Sequence, residues 1–427
     1  MKIETLHKHF LSSSGVCTDT RKITQNCLFF ALKGETFNGN TFASEAMKQG
    51  AQLAIVDDVD YYSANTNTVL VKDTLKSLQA LAQYHRKYLG IPIIALTGSN
   101  GKTTTKELIN AVLSQKFKTA ATVGNLNNHI GVPLTLLSMT TETELGIVEM
   151  GANHLKEIEQ LTAIANPDYG YITNFGKAHL EGFGSLDGVI KGKSELYDYL
   201  RINNKTVFLN GHDATQLKQA EGIKSYRFGT TGKQDCKIPL EDASDKVTVS
   251  FDGLTIKSNL VGLYNFNNIS AAIAMGVYFE VASEKIKKAI ETFIPSNNRS
   301  QLIEKNGHQI ILDAYNANPT SMMAALKNLE QTAGTAKILF LGDMFELGTT
   351  ANEEHEAIVS YLKEDPFGTT YLIGSNFYAT HTSASNILKF ENFELFKEKF
   401  KEVKLTPSII LVKASRGMAL ERILDLL

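Results

Sequence analysis

The stretch Ile93-Ile-Ala-Leu-Thr-Gly-Ser-Asn-Gly-Lys-Thr-Thr-Thr-Lys106 joins a short apolar run to a glycine-bounded turn and then to a helix-forming segment. A strand over Ile93–Leu96, a tight turn Gly98-Ser99-Asn100-Gly101 and a helix starting at Lys102 aim backbone N–H groups at one spot. The positive end of the helix dipole points there too, which suits a phosphate. Lys102 would reach the β- and γ-phosphates, and the Thr103 hydroxyl would take Mg²⁺. The general pattern Gly-x-x-x-x-Gly-Lys-[Ser/Thr] places its first glycine where this chain has Leu96. The cradle is therefore a shortened one.

Working outward, apolar runs such as "KTAATV", "LGIVEM" and "DYGYITNF" alternate with helical stretches, the pattern of a parallel α/β sheet. Ligands of such sheets collect beyond the carboxyl ends of the strands. Glu149, at the end of "LGIVEM", is thus a candidate to hold Mg²⁺ or a metal-bound water. His179, on the loop after the next strand, is a candidate for the same site. The glycine-bounded loop "GNLNNHIGVP" (124–133) offers side-chain amides to orient a sugar or phosphate. Lys191, Lys193 and Glu195 lie on a helix where spacing alone reads as a solvated charged face. Asn265 and Asn268 open a helix, as caps or as readers of an adenine edge.

Further out, a helix from about Thr41 to Lys48 closes at Gly50 before a strand Leu53–Val56, and a helical pattern from Thr74 to Tyr88 meets Gly90 and Pro92. Asp252-Gly253 between alternating runs marks a hairpin. After the polar stretch "PSNNRSQ", the strands "QIILDA", "KILFLGD", "TYLIG" and "SIILVKA" alternate with helices, ending in a helical "MALERILDLL". The expected architecture is α/β in three domains: a small N-terminal one over 1–85, a central parallel-sheet one over 86–297, and a Rossmann-like one over 298–427. A hinge is expected near 295–300.

At 427 residues the chain exceeds one hydrophobic core. With 43 basic against 45 acidic residues, it has no general attraction for nucleic acid or anionic lipid, so an anionic partner needs a local site. Cys17, Cys27 and Cys236 lack C-x-x-C spacing and read as reduced thiols. No apolar targeting stretch opens the sequence and no run approaches the ~20 residues of a membrane span. A soluble, cytoplasmic protein is expected.

With these residues in place, the chain resembles the Mur ligase family, ATP-dependent amino-acid ligases of peptidoglycan synthesis. The family's own loop is the short form Thr-Gly-x-Asn-Gly-Lys-Thr, here Thr97–Thr103. The stretches "LFFALKGETFNGNTFASEAMKQGA" (28–51), "DAYNANPTSM" (313–322) and "LGDMFELG" (341–348) carry the likeness along the whole length. The resemblance implies a monomeric enzyme joining D-alanyl-D-alanine to UDP-N-acetylmuramoyl-tripeptide, with ATP and Mg²⁺ as cofactors. It assigns Gly98, Asn100, Gly101, Lys102, Thr103 and Thr104 to the ATP phosphates, and Thr103, Glu149 and His179 to metal. Lys193 matches a family lysine that is often carbamylated, a change that makes it an anionic metal ligand. Asn265 and Asn268 match adenine-site positions; Arg299 and Asp313 match ATP contacts from the third domain. Thr20, Arg21, Lys33 and Gly34 would meet the uridine diphosphate, Asn125 and Asn128 the muramoyl-peptide, and Ser415 and Arg416 the acceptor. The chain departs from the family at Phe37-Asn-Gly-Asn40, Asn298-Arg-Ser-Gln301 and Lys413-Ala-Ser-Arg416. The rival readings are a sister ligase adding the third amino acid, a P-loop small-molecule kinase, and a nucleotide-binding scaffold without catalysis.

Overall fold

Apolar runs covered on both faces pair in parallel, and the chain makes three sheets of this kind, one per domain. The computed structural model describes residues 1–295, 298–332, 336–364 and 367–427. The N-terminal sheet orders its parallel strands Val16–Cys17, Leu28–Phe30, Leu53–Val56 and Thr68–Leu70. A 3₁₀ turn over Gly39–Phe42 runs into the helix Ala43–Lys48, which stops before Gly50.

The helix Thr74–Leu89 starts where the Asp73 carboxylate accepts the Lys76 N–H, and ends at Gly90, whose φ of 63° glycine adopts without strain. It packs against the first helix, Ile3–Leu11, and also docks on the central domain. Arg86 donates to the carbonyls of Ala165 and Asn166 and pairs with Asp168 at 2.8 Å. Gln79 and Gln83 donate to the carbonyls of His129 and Ala163. The expected break after residue 85 falls inside this helix.

The central sheet is wholly parallel. Its order is Thr119–Ala121, Leu145–Glu149, Ile93–Thr97, Tyr169–Ile172, Thr206–Asn210, Lys224–Gly229, Cys236–Lys237. After Ile93–Thr97 the chain forms the edge strand Thr119–Ala121, returns to Leu145–Glu149 beside the first strand, and then crosses to its other side, so a crevice opens at that strand's carboxyl end. Alternate residues of the strand serve opposite faces: Ile94 and Leu96 pack with Ile109 and Val112 of the following helix, Lys102–Leu113, while Ile93 and Ala95 join the other core. The hairpin forms as its sequence predicts, with Phe251 opposite Leu254 and positive φ at Asp252 (51°) and Gly253 (74°).

The C-terminal sheet orders Gln301–Lys305, His308–Asp313, Ile409–Lys413, Lys337–Gly342, Thr369–Ile373 and Ile387–Phe390, antiparallel only at the first pair. Two of these, Gln301–Lys305 and Ile387–Phe390, go beyond the four strands expected. Both are partly exposed edges; polar residues dilute the apolar signal in Gln301–Lys305, and Ile387–Phe390 is only four residues long. The terminal "MALERILDLL" is not an α-helix. It forms 3₁₀ stretches, Arg416–Met418 and Leu420–Leu426, broken at Ala419 with φ 46°. The expected hinge and the 297/298 boundary involve residues 296 and 297, which lie outside the described residues. No helix among the described residues is long and apolar enough to cross a membrane.

Candidate active site

The loop after Ile93–Thr97 needs both of its glycines. Gly98 has φ 138°, and a Cβ there would lie 2.0 Å from Thr173 Oγ1; Gly101 has φ 78°, and a Cβ would lie 2.7 Å from Asn268 Oδ1. The neighbouring strand's extension braces the turn. Thr173 Oγ1 and Asn174 Nδ2 donate to the Asn100 carbonyl at 2.6 and 3.0 Å, and the Asn100 N–H donates to Asn174 Oδ1 at 3.1 Å. Lys102 Nζ arches back over the loop to the Gly98 carbonyl at 2.8 Å. Burial pushes its ammonium below the ordinary lysine range, opposed by Glu149 and Glu346 and reinforced by Arg299.

Glu149 is 1% exposed. Its Oε1 accepts Thr103 Oγ1 at 3.2 Å and Asn127 Nδ2 at 2.8 Å, while Oε2 is buried with no partner. An ionised oxygen left in that state is costly unless a cation completes it. The hard oxygens of Glu149 and Thr103 fit Mg²⁺. Among the described residues no cluster of three or more His, Cys, Asp or Glu is arranged to hold a metal.

His179 sits in the left-handed region, φ 54°, at the foot of the short helix Leu180–Phe183. Its Nδ1 lies 2.5 Å from Glu346 Oε2, a carboxylate of the C-terminal domain. The imidazole standing against it holds the Glu346 carboxyl below its ordinary value.

The charged-face reading of "IKGKSELYDYL" is overturned for two of its three residues. Lys193 is wholly buried in the helix Leu186–Ile202; its Nζ donates to the Ala152 carbonyl at 2.9 Å and stands 5.0 Å from the Phe183 ring centroid. Burial, then the charge of Lys102, pushes it far below the ordinary range. Glu195 accepts the N–H groups of Lys156 and Glu159 and so caps the helix Glu157–Ala165. Lys191 stays exposed.

The phosphate loop, Glu149, His179 and Glu346 face one cleft of about 570 Å³, which Lys193 does not line. The phosphate loop from Asn100 to Thr104, Glu149 and His179 form one wall, with Asn125 and Asn128 at its rim. The Asn128 side chain already accepts the N–H groups of Ile130 and Gly131. Asn265 and Asn268 also line the cleft, but neither caps its helix, Tyr264–Tyr278. They form a relay instead: Thr105 Oγ1 to Asn268 at 2.9 Å, Asn268 to Asn265 at 2.8 Å, Asn265 to the Val261 carbonyl at 2.7 Å. The opposite wall belongs to the C-terminal domain. The Arg299 guanidinium stacks 3.5 Å from the Tyr315 ring centroid, and Asp313 accepts the Ser300 N–H and pairs with buried Lys413 at 2.5 Å.

The remaining sequence candidates lie elsewhere. Gly98 supports the turn from behind. Thr20, Arg21, Lys33 and Gly34 sit on the N-terminal domain, Arg21 paired with Asp19 at 2.7 Å and Lys33 with Asp57 at 2.9 Å. The departure Asn40 is fully buried, exchanging hydrogen bonds with Asn38 and Asp57 and so anchoring the ribbon of Lys33–Gly34 and Phe37–Asn38. Ser415 accepts the Phe345 N–H at 2.8 Å and donates to the Ala317 carbonyl, and exposed Arg416 pairs with Glu421. Neither lines the cleft.

Lining residues not named as site residues in the sequence include Asn127, Asn318 and Glu346. Asn318 Nδ2 donates to Asn100 Oδ1 at 2.7 Å, which ties the C-terminal domain directly to the phosphate loop. All three lie inside stretches already marked as informative, but nothing local distinguishes them from their neighbours.

Family models match the chain three times: the Mur ligase family catalytic domain over residues 12–86, the Mur ligase middle domain over 96–276, and the Mur ligase glutamate ligase domain over 298–416. The chain belongs to the Mur ligase family. Within that family it is 38% identical to the UDP-N-acetylmuramoyl-tripeptide–D-alanyl-D-alanine ligase of Bacillus subtilis, covering 96% of this chain and 92% of the relative. The enzyme of that name from Escherichia coli is 32% identical over 97% and 93%. Among solved Mur ligases, MurF from Acinetobacter baumannii superposes with a TM-score of 0.86 at 32% identity, covering 96% of this chain and 92% of that one. MurF ligase from Thermotoga maritima, solved in complex with ADP, gives 0.85 at 25% identity over 98% and 97%.

Proposed function

We propose that this protein is an ADP-forming peptide ligase that joins D-alanyl-D-alanine to UDP-N-acetylmuramoyl-tripeptide in the cytoplasm, as a monomer. The observation that carries the reading is the cleft itself, where a phosphate loop with a buried, half-satisfied carboxylate faces a second α/β domain. A kinase of small metabolites needs the first wall. A ligase needs both, because a second substrate must be brought to an activated first one.

An ionised carboxylate resists an amine nucleophile. Transfer of the ATP γ-phosphoryl group to the peptide carboxylate gives an acyl phosphate and ADP; attack by the free amine of the dipeptide forms the amide, and the tetrahedral intermediate expels phosphate. Lys102 and the loop N–H groups hold the phosphates and offset their charge. Mg²⁺ on Thr103 and Glu149 would neutralise the phosphate charge further. Burial of Lys193 favours its neutral amine, the form that adds CO₂, which supports its reading as a carbamylated ligand. Docking of the C-terminal wall excludes water from the acyl phosphate.

Phosphate release with ATP, Mg²⁺ and UDP-N-acetylmuramoyl-tripeptide, with and without D-alanyl-D-alanine, tests this when product mass is read alongside. Dipeptide-dependent release with a mass gain of two alanyl residues is the expected result. Release without a coupled product would overturn it. Release with the shorter precursor and a single amino acid would favour the sister ligase.

A further inference from the structure

Residues 177–181 of the central domain are gripped by the C-terminal domain at successive points. The Lys177 N–H donates to Thr320 Oγ1 at 2.9 Å, and its Nζ pairs with Glu354 at 2.5 Å. The Glu181 N–H donates to the Glu346 carbonyl at 3.1 Å. Gly348, φ 54°, lets the chains approach so closely that a Cβ would stand 3.3 Å from Glu181 Cα. At the centre of this grip, His179 Nδ1 meets the Glu346 carboxylate. Both residues have left-handed backbones, φ 54° and 60°, a conformation that persists in non-glycine residues only where the surroundings hold it.

We infer that Glu346 is a positioning residue that acts through His179, so that the imidazole takes its working orientation only when the C-terminal domain is docked. A carboxylate oxygen 2.5 Å from Nδ1 favours the tautomer protonated on that nitrogen, which leaves Nε2 its lone pair for a ligand. Here the orienting carboxylate comes from a different domain than the histidine. Docking of the domain across the cleft would therefore complete a group on the phosphate side, and phosphoryl transfer would be licensed by the arrival of the acceptor's domain. This inference rests on the ligase reading above. The competing view is a half-exposed ion pair of little consequence.

The test compares wild type with Glu346→Ala, Glu346→Gln, His179→Ala and the Glu346→Ala/His179→Ala double variant, each checked for an unchanged thermal midpoint. Glu346→Ala should lower kcat by roughly 10–100-fold, the range for loss of a carboxylate that orients a histidine, with a smaller change in the KM for ATP. The double variant should be no slower than His179→Ala alone. Glu346→Gln keeps an acceptor oxygen and should recover part of the loss. Independently of activity, ¹⁵N NMR of His179, assigned by its absence in His179→Ala, should show a single Nδ1–H tautomer with a non-hydrolysable ATP analogue and the tripeptide precursor. Glu346→Ala should show a mixture. An unchanged tautomer, or additive losses in the double variant, would overturn the inference. Absence of ligation by wild type would instead overturn the ligase reading, and the NMR comparison would still decide this one.

Discussion

On one wall of the cleft the working groups follow directly from strand ends: Lys102 after Ile93–Thr97, Glu149 closing Leu145–Glu149, Asn174 just past Tyr169–Ile172. On the facing wall Arg299, Asn318 and Glu346 arrive from turns of a separate sheet and meet the first wall only through domain docking. The first wall is fixed by the hydrogen-bond ladder of a single sheet. The second is fixed by a few side-chain contacts between domains. Chemistry on the first should therefore fail outright when a group is removed, whereas loss on the second should appear as weaker coupling between the two substrates, except at Glu346, which acts through the first-wall His179.

Lys102→Ala is the hardest test of that contrast. Phosphate release should fall by at least ~10²–10³-fold, the cost of removing one preorganised charge-stabilising group. Activity within tenfold of wild type would show that the first wall is not the phosphoryl site. Glu149→Gln keeps the shape and removes the charge that awaits a cation; kcat should fall by about 10²-fold on the same scale. The Mg²⁺ concentration for half-maximal rate should rise with it. Asn318→Ala cuts the direct tie between the walls. A net hydrogen bond of about 1 kcal/mol corresponds to roughly a fivefold loss, expected in the KM for the dipeptide and not in that for ATP. An equal effect on both would erase the distinction.

Ser415→Ala probes the second wall's support. It leaves the Phe345 N–H without its acceptor and should cost ~1–2 kcal/mol of stability, seen as a lower midpoint in denaturant with kcat little changed. The smallest effect concerns neither wall. Buried His7 and His85 share a hydrogen bond of 3.0 Å, and His85 also meets the Met139 carbonyl at 2.9 Å. Burial lowers both below the ordinary histidine value, with the charge of His85 adding to the effect on His7. The unfolded chain then binds more protons than the native one below pH ~6.5. Stability is full above that pH and declines on acidification, so the thermal midpoint should drop between pH 7.5 and 5.5. A flat midpoint in the His7→Gln/His85→Gln double variant would assign the decline to this pair.

The same contrast governs what could be read from the sequence. The shortened loop, Glu149 and the hairpin at Asp252-Gly253 were legible because strand, turn and helix signals act over a few residues. Spacing alone reads Lys193 as solvated, because spacing says nothing about which helix face a neighbouring element covers. Asn318 and Glu346 gave no signal because their partners, Asn100 and His179, lie more than 150 residues away. The edge strands Gln301–Lys305 and Ile387–Phe390 were missed because polar residues dilute the first and the second is only four residues long, and Ala419 gave no warning of the left-handed break that ends helical winding near the C-terminus.

The helix Thr74–Leu89 has a consequence of its own. Its 16 residues span ~24 Å as a rigid rod, and Arg86, Gln79 and Gln83 bolt it to the central domain while its other face carries the N-terminal sheet. A nucleotide-sugar end held on Lys33 and Arg21 would then sit at a set distance from Lys102. With the substrate held as proposed, the rod would work as a ruler: a precursor one amino acid short would leave its carboxylate roughly 3.3–3.6 Å from where a full-length peptide places it.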